Sequence, residues 1–133
     1  MVPIEFTPKG DERGWLIALE NLKEVPFEIS RVYFIYGTLP GVRRGKHAHR
    51  KLRQMAICLK GSCRFYMDDG RRKDEVLLDR NNRGLLIESM VWHEMDDFTV
   101  DCILLVLASG PYDEHDYIRE YHAFTNELQE SGR

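Results

Sequence analysis

Short runs of apolar residues recur along most of this 133-residue chain, with turn residues between them. The runs are rich in Val, Ile, Leu, Tyr and Phe, which favour strands that pack on both faces. Many short strands separated by turns predict an all-β protein, an antiparallel sandwich or small barrel of the jelly-roll kind. The predicted strands cover residues 14–20, 31–37, 47–52, 54–60, 62–68, 74–79, 84–89, 91–95 and 99–109.

The turn residues between the strands and the C-terminal residues predict the remaining elements. Asp69 and Gly70 predict a hairpin turn, because both residue types tolerate positive φ. Over residues 113–130 the apolar residues recur three or four apart, which predicts one C-terminal helix with Asp113 as its N-cap. The sequence shows no repeat or linker, so residues 1–133 are predicted to form a single domain.

Composition narrows the classes of function. The net charge is −3, whereas a dedicated nucleic-acid-binding protein usually carries a large basic excess. The longest apolar run, residues 102–108, is too short to cross a bilayer, and the N-terminal residues do not resemble a signal peptide. The three cysteines lack zinc-finger or redox-motif spacing, so we expect reduced, mostly buried thiols. These features predict a cytoplasmic protein that binds neither nucleic acid nor membrane.

The positive charge is concentrated in one segment, 41-GVRRGKHAHRKLRQ-54. On a strand, His47 and His49 lie on the same face, because side chains alternate with period two. Two adjacent imidazoles suit a metal site, an acid/base pair or a solvated basic surface. A local cationic patch on an acidic protein suits a small anionic ligand better than a polyanion.

The spacing of Gly41, His47, His49, Gln54 and Gly61 resembles the first motif of the cupin superfamily. The segment 84-GLLIESMVWH-93 resembles the second cupin motif, which ends here in a third histidine. Within the cupins, the chain is similar to the sugar 3,4-ketoisomerases over about residues 13 to 122. The segments that carry this resemblance are residues 26–37, 43–52, 61–70, 90–109 and 116–121.

The resemblance implies a cupin jelly roll and an isomerase that needs no cofactor or metal. Such an enzyme moves the keto group of dTDP-4-keto-6-deoxy-glucose from C4 to C3 through an enediolate, in deoxysugar biosynthesis. An isomerisation of this kind needs only a base, an acid and a group that stabilises the oxyanion. Family members are homodimers that exchange N-terminal strands, and residues 14–20 would supply such a strand here.

The resemblance also assigns catalytic roles. His47 is expected to remove the proton on C3, and His49 to act as the acid at C4, although the two roles could be reversed. Nearby Arg and Lys residues favour the neutral imidazole that a base requires. Tyr33 is expected to hydrogen-bond the keto oxygen or to relay a proton.

Four further residues are predicted to bind the substrate. Arg44 could hold the enediolate or the diphosphate, and Lys46 the diphosphate, since both carry the required positive charge. His93 and Trp92 are expected at the pocket. The sequence leaves open whether His93 contacts the substrate or only forms the pocket wall.

Other functions stay open at the level of sequence. Three histidines could bind a metal, but Gln54 stands where metal-dependent cupins carry glutamate, which removes the anionic ligand. A sugar 3,5-epimerase is close in chemistry and needs a His–Asp dyad. A non-catalytic cupin that binds a sugar nucleotide is the third alternative.

Overall fold

The structure, a computed structural model, describes residues 1–132 and is built mainly from antiparallel strands. A 3₁₀ turn, Glu114–Asp116, precedes the last strand, and the helix α1 covers Tyr121–Glu130. The strands are β1 (Ile4–Glu5), β2 (Lys9–Asp11), β3 (Gly14–Leu16), β4 (Arg31–Tyr36), β5 (Arg44–His49), β6 (Gln54–Lys60), β7 (Cys63–Asp68), β8 (Lys73–Leu78), β9 (Arg83–Ile87), β10 (Trp92–Asp96), β11 (Ile103–Ala108) and β12 (Tyr117–Ile118).

Ten of these strands form two five-stranded sheets. The first sheet has the order β1-β9-β6-β11-β4, and the second has the order β12-β5-β10-β7-β8. Apolar side chains from both sheets, such as Phe65, Leu85 and Leu104, form one buried cluster. The predicted all-β jelly roll is therefore confirmed, because alternate residues of each strand point into a shared core.

Each sheet is also partly covered on its outer face. The N-terminal segment packs Phe6, Val25 and Phe27 against Met55 and Ile57 of the first sheet. Helix α1 covers the second sheet, where its buried residues pack with Ala48, Trp92 and Ile118. Within residues 1–132, no helix has the length and apolar character required to span a membrane.

The prediction of one continuous helix over residues 113–130 is wrong at its N-terminal end. Asp113 does act as an N-cap, but of the 3₁₀ turn, where its carboxylate accepts a hydrogen bond from the His115 N–H. Tyr117 and Ile118 then pair with His49 and Ala48 of β5. An exposed edge of β5 offered backbone partners that outweighed the local helical pattern.

The predicted strand over residues 14–20 is also too long. Only Gly14–Leu16 is a strand, and it pairs with β2 in a hairpin that is hydrogen-bonded to neither large sheet. Ile17 and Leu19 instead pack over the outer face of the first sheet. The predicted hairpin turn at Asp69–Gly70 is confirmed, with Gly70 at a φ of +92°.

The three cysteines are free and buried, as predicted. They lie together, with all three sulfur atoms within 4.8 Å of one another. The Cys58 thiol is within hydrogen-bonding distance of the backbone oxygens of Lys60 and Gly61. A carbonyl oxygen only accepts hydrogen bonds, so these contacts favour a protonated thiol.

Candidate active site

A cavity of about 220 Å³ lies between the inner faces of the two sheets. The second sheet contributes imidazoles, and β4 of the first sheet contributes a phenol and a guanidinium. The cavity therefore combines groups that transfer protons with groups that bind anions. Its lining residues are Arg31, Tyr33, Ile35, Arg44, Gly45, His47, His93, Met95 and Tyr117.

Three histidines form the centre of this site. His47 and His93 are direct cross-strand neighbours on β5 and β10, and their ring centroids are 4.6 Å apart. The ring centroid of His49 is 4.8 Å from that of His47, which confirms that the two side chains share one face of β5. Tyr117 pairs with His49 in the register of β12 and β5, and their rings are 4.4 Å apart.

A bulge in β5 orients His47. Lys46 has no opposite residue on β10, because His93 pairs with His47 and Glu94 pairs with Gly45. Gly45 and Lys46 have φ values of +82° and +61°, in the left-handed region. The bulge turns the Gly45 carbonyl towards the His47 ring, 3.0 Å from Nδ1. Bulges of this kind commonly redirect a functional side chain.

Backbone carbonyls fix the tautomers of two imidazoles. The carbonyl of Gly45 accepts a hydrogen bond from His47 Nδ1, and that of Val91 accepts one from His93 Nδ1 at 3.1 Å. A neutral ring with a proton on Nδ1 carries a free lone pair on Nε2. His49 Nε2 is buried and has no hydrogen-bond partner within residues 1–132. Each ring therefore keeps an unpaired nitrogen for chemistry.

Burial keeps these imidazoles neutral. It lowers the pKa of His47 below the usual value, against the opposing effect of the Gly45 hydrogen bond. Burial, together with the neighbouring histidines, lowers the pKa of His49 to about 3. Burial likewise lowers the pKa of His93 to about 3. At neutral pH all three rings are therefore bases with an available lone pair.

Tyr33 faces the histidines from the opposite sheet. Its hydroxyl oxygen accepts a hydrogen bond from Gln54 Nε2 at 2.7 Å. Burial raises the pKa of Tyr33, while the Gln54 bond acts in the opposite direction. The phenol therefore stays protonated at neutral pH and can donate a hydrogen bond.

The three imidazoles also form a possible metal-ligand set, since one nitrogen of each lies within 4.8 Å of the others. His47, His49 and His93 could hold a divalent cation, which would act as a Lewis acid. The set has no carboxylate, and the amide of Gln54 is engaged with Tyr33. The residues fit a weakly bound cation with three neutral ligands, and they lack the anionic ligand of metal-dependent cupins.

With this geometry established, comparison with known proteins assigns the family. The family model described as FdtA: WxcM-like, C-terminal, matches residues 2–129. The chain belongs to the FdtA family. Proteins with similar sequences and structures confirm the resemblance of this FdtA-family chain to the sugar 3,4-ketoisomerases.

One curated relative is an Aneurinibacillus thermoaerophilus protein named TDP-4-oxo-6-deoxy-alpha-D-glucose-3,4-oxoisomerase. It is 50% identical over 121 residues, which cover 91% of this chain and 87% of the relative. A solved 3,4-ketoisomerase from Helicobacter canadensis superposes with a TM-score of 0.93, at 48% identity and 96% coverage of both chains. A mutant 3,4-ketoisomerase from Thermoanaerobacterium thermosaccharolyticum, solved with TDP-4-keto-6-deoxyglucose, has a TM-score of 0.92 at 40% identity, covering 97% of this chain and 94% of its own.

The FdtA-family structure brings most of the sequence-predicted residues together. Tyr33, Arg44, His47 and His93 line the cavity, and His49 is in ring contact with His47. They meet because β4, β5 and β10 all direct alternate side chains into the space between the sheets.

Two of the predicted substrate-binding residues lie outside the cavity. Lys46 is exposed at the bulge and is not part of the cavity lining. Trp92 precedes His93 on β10 and points to the outer face, where it packs against Phe124 of α1. Its indole N–H donates to Glu94 at 2.8 Å. Alternation along β10 explains this placement, because neighbouring residues face opposite sides of the sheet.

Two cavity residues with polar side chains, Arg31 and Tyr117, were not predicted from the sequence. Arg31 lies two positions before Tyr33 on β4, so period-two alternation was the signal that could have found it. Its guanidinium stacks over the Tyr33 ring at 5.1 Å. Tyr117 was assigned to the C-terminal helix, and only its pairing with β5 brings it to the cavity.

Proposed function

We propose that this protein is a cofactor-independent 3,4-ketoisomerase that converts TDP-4-keto-6-deoxyglucose into a TDP-3-keto-6-deoxyhexose. The observation that carries the proposal is a pair of neutral imidazoles in ring contact, His47 and His49. His47 lines a cavity that is also lined by two phenols and two guanidiniums. The names of its close relatives point to the same reaction and the same sugar nucleotide.

The first step is removal of the proton on C3 of the sugar, which the neighbouring C4 carbonyl acidifies. His47 Nε2 has the free lone pair that accepts this proton, because Nδ1 is engaged with the Gly45 carbonyl. The electrons of the C3–H bond form a C3–C4 double bond, and the C4 oxygen becomes an enediolate oxyanion.

The second step places a proton on C4. His49, once it has gained a proton, is the donor that we assign to this carbon. The double-bond electrons form the new C4–H bond, and the electrons of the C3 O–H bond form the new carbonyl at C3. The proton released from the C3 hydroxyl passes to the C4 oxyanion, which becomes a hydroxyl. The two histidines are in ring contact, so a proton has only a short path between them.

The oxyanion of the enediolate needs hydrogen-bond donors. Tyr33 faces the histidines from β4 and keeps its phenolic proton at neutral pH. A preorganised donor of this kind is worth about 10²–10³-fold in rate in other enzymes.

The diphosphate of the substrate needs positive charge close to the sugar site. Arg31 and Arg44 both line the cavity, and Arg31 Nε is buried without a hydrogen-bond partner inside residues 1–132. Guanidinium groups bind phosphate oxygens through paired hydrogen bonds. Lys46 is exposed on the bulge beside the cavity, and we assign it to the outer phosphate of the substrate.

The hydrogen bond of His47 favours a ketoisomerase over an epimerase with a His–Asp dyad. The partner of His47 Nδ1 is a backbone carbonyl, where a dyad requires a carboxylate. The metal-dependent alternative would require His47, His49 and His93 to bind a divalent cation without a negatively charged ligand. Imidazole nitrogens without hydrogen-bond partners, inside a cavity, are typical of catalytic sites. They argue against a protein that only binds a sugar nucleotide.

We further propose that the enzyme is a homodimer. Strand β4 forms one edge of the first sheet, and its outer residues Val32, Phe34 and Tyr36 are exposed by 55%, 59% and 71%. The hairpin of β2 and β3 leaves Trp15 71% exposed and pairs with neither sheet of its own chain. A second copy that receives this hairpin would cover these apolar surfaces and account for the exchanged strands.

The sedimentation of the protein tests the dimer. Phe34→Glu should convert a dimer into a monomer, because it places a charge in the apolar face of β4. A wild-type protein that sediments as a monomer at micromolar concentration would contradict the dimer and leave the isomerase proposal in place.

We also place the enzyme in the cytoplasm. The sulfur atoms of Cys58 and Cys102 are 3.6 Å apart and unlinked, as expected for thiols in a reducing compartment. Fractionation of the native cells, with an antibody against the protein, tests this assignment.

Turnover in deuterated water tests the proposed reaction. The wild-type protein should convert TDP-4-keto-6-deoxyglucose to a 3-keto product with deuterium on C4, as followed by NMR. His47→Asn should lower kcat by about 10²–10⁴-fold and abolish exchange of the C3 proton, while the affinity for TDP is retained.

His122→Asn is the matched control, since His122 lies exposed on α1. It should leave turnover unchanged. Loss of activity to a chelator, with recovery on adding back a divalent metal, would support the metal-dependent alternative and contradict the proposed mechanism.

A further inference from the structure

Gln54 and Tyr33 form a hydrogen bond inside the barrel. Which of the two side chains donates decides whether the Tyr33 hydroxyl proton is free to bond to a substrate. Gln54 is the first residue of β6 and is only 2% exposed. It pairs with Ala108 of β11, while Tyr33 pairs with Val106 two residues earlier on the same strand. The two side chains meet diagonally across β11, with Gln54 Nε2 donating to the Tyr33 hydroxyl oxygen at 2.7 Å.

This bond determines what the Tyr33 hydroxyl can do. A phenol has one O–H to donate and lone pairs to accept with. Gln54 occupies a lone pair, so the single proton of the phenol is left to point away from Gln54, into the cavity that Tyr33 lines. A carboxylate at position 54 would only accept hydrogen bonds, and it would take that proton for itself.

The charge of the amide is equally important. The proposed reaction develops an oxyanion in the cavity, and a buried carboxylate beside it would oppose that charge. Gln54 has nearly the shape of glutamate but is neutral, so it supports Tyr33 without this repulsion. Arg31, which stacks over the Tyr33 ring, then remains available to an anionic ligand.

We infer that Gln54 is a positioning residue that sets the direction of the Tyr33 hydroxyl, so that the phenol donates its proton to the substrate oxygen rather than to the protein. The inference rests on the proposed isomerase function and adds to it a role for a residue that does not touch the reacting atoms. It also gives a chemical reason why an amide, and not a carboxylate, occupies this position of the barrel.

Substitutions at position 54, alone and combined with Tyr33→Phe, test the inference. Gln54→Glu should lower kcat by about 10²-fold, comparable to the loss of one oxyanion donor, with little change in KM or in the affinity for TDP. Gln54→Met removes the hydrogen bond but leaves the phenol free to donate, so a smaller loss is expected. In the Tyr33→Phe background, Gln54→Met should not lower kcat further, and Gln54→Glu should lower it less than it does when the Tyr33 hydroxyl is present.

The pH dependence separates this role from a structural one. Acidification should partly restore kcat in Gln54→Glu, because a protonated carboxyl group regains an O–H that can donate to Tyr33. Burial lowers the pKa of all three histidines, and that of His49 and His93 to about 3, so acidification protonates these imidazoles later than ordinary histidines. A variant that is merely misfolded or mispacked would show no recovery.

One measurement does not depend on turnover. In protein labelled with ¹³C at the tyrosine ring, with Tyr33→Phe to assign the signal, Gln54→Met should raise the pKa of Tyr33, because it removes the N–H donor that lowers this pKa. If the wild-type protein fails to turn over the sugar nucleotide but this shift is seen, the proposed function fails and the hydrogen-bond direction stands.

Three results would overturn the inference. These are wild-type kcat in Gln54→Glu, equal losses with and without the Tyr33 hydroxyl, and an unchanged pKa of Tyr33. If the buried carboxylate of Gln54→Glu prevents folding, as judged by thermal unfolding, Gln54→Met provides the test instead. Its loss of kcat must then disappear in the Tyr33→Phe background, or the inference is wrong.

Discussion

Within residues 1–132, the barrel contains two clusters of three side chains that are often metal ligands or nucleophiles, and only one of them has the surroundings of an active site. The histidines His47, His49 and His93 face a cavity of about 220 Å³. The cysteines Cys58, Cys63 and Cys102 lie equally close to one another, with sulfur atoms within 4.8 Å. The cysteines, however, are packed into the apolar core beside Phe65, Leu78 and Leu104.

The difference lies in what the reactive atoms face. Two imidazoles are held through Nδ1 by backbone carbonyls, and this leaves their Nε2 lone pairs free. The Cys58 thiol instead lies against the carbonyls of Lys60 and Gly61, which favour its protonated form. Proximity of reactive groups therefore does not define a site. A site also needs unpaired atoms and a space in which a ligand can meet them.

The largest expected difference between the two clusters is in catalysis, and a substitution of His49 tests it. His49→Asn should lower kcat by about 10²–10⁴-fold, because it removes the group that we assign to protonation of C4. Exchange of the C3 proton with deuterated water should persist, since His47 is still present. Measurement of exchange and product formation in the same NMR experiment distinguishes the steps, and loss of both would show that the roles are reversed or shared.

The second largest effect is expected on the free energy of unfolding below neutral pH. The pKa values of His49 and His93 are lowered to about 3, so the unfolded chain binds protons more readily than the folded chain as the pH falls from about 6.5 to 3. Each histidine should lower the free energy of unfolding by about 1.4 kcal/mol per pH unit in this window.

Urea unfolding at several pH values measures this effect. Asparagine has no imidazole to titrate, so His49→Asn should lose less stability on acidification than the wild-type protein. Parallel curves for the two proteins would show that His49 is not buried as a neutral ring.

The smallest effect is expected in the cysteine cluster. Cys102→Ala should cost about 1 kcal/mol of stability, because a buried sulfur atom is lost from a packed core. It should leave kcat unchanged, since none of the three cysteines lines the cavity. Thermal unfolding and steady-state kinetics test both statements. A large loss of kcat would give the cysteines a role that the packing does not indicate.

Much of the fold followed from local pattern. The predicted strand at residues 54–60 and the observed Gln54–Lys60 coincide, and most other strands differ by a few residues at their ends. The errors fell where tertiary contacts outweighed local preference. Residues 117 and 118 carry a helical pattern but pair with the free edge of β5. Ile17 and Leu19 are apolar but cover a sheet instead of extending one.

The site was predictable to the extent that it depends on one strand. The alternation of side chains along β5 was sufficient to place His47 and His49 together, and the motif that ends in His93 indicated the third histidine. The same alternation, applied to β10, would have shown that Trp92 faces away from His93. Arg31 could have been found from its spacing to Tyr33, whereas Tyr117 could not.

The sequence by itself determined the antiparallel strands, the shared face of His47 and His49, and the family, because each depends on residues that are close in the chain or on a characteristic spacing. Only the tertiary structure decided that Tyr117, His93 and Arg31 meet those histidines, and that Gln54 donates to Tyr33. These contacts join strands far apart in the chain, so their geometry depends on sheet register and on the packing of one sheet against the other.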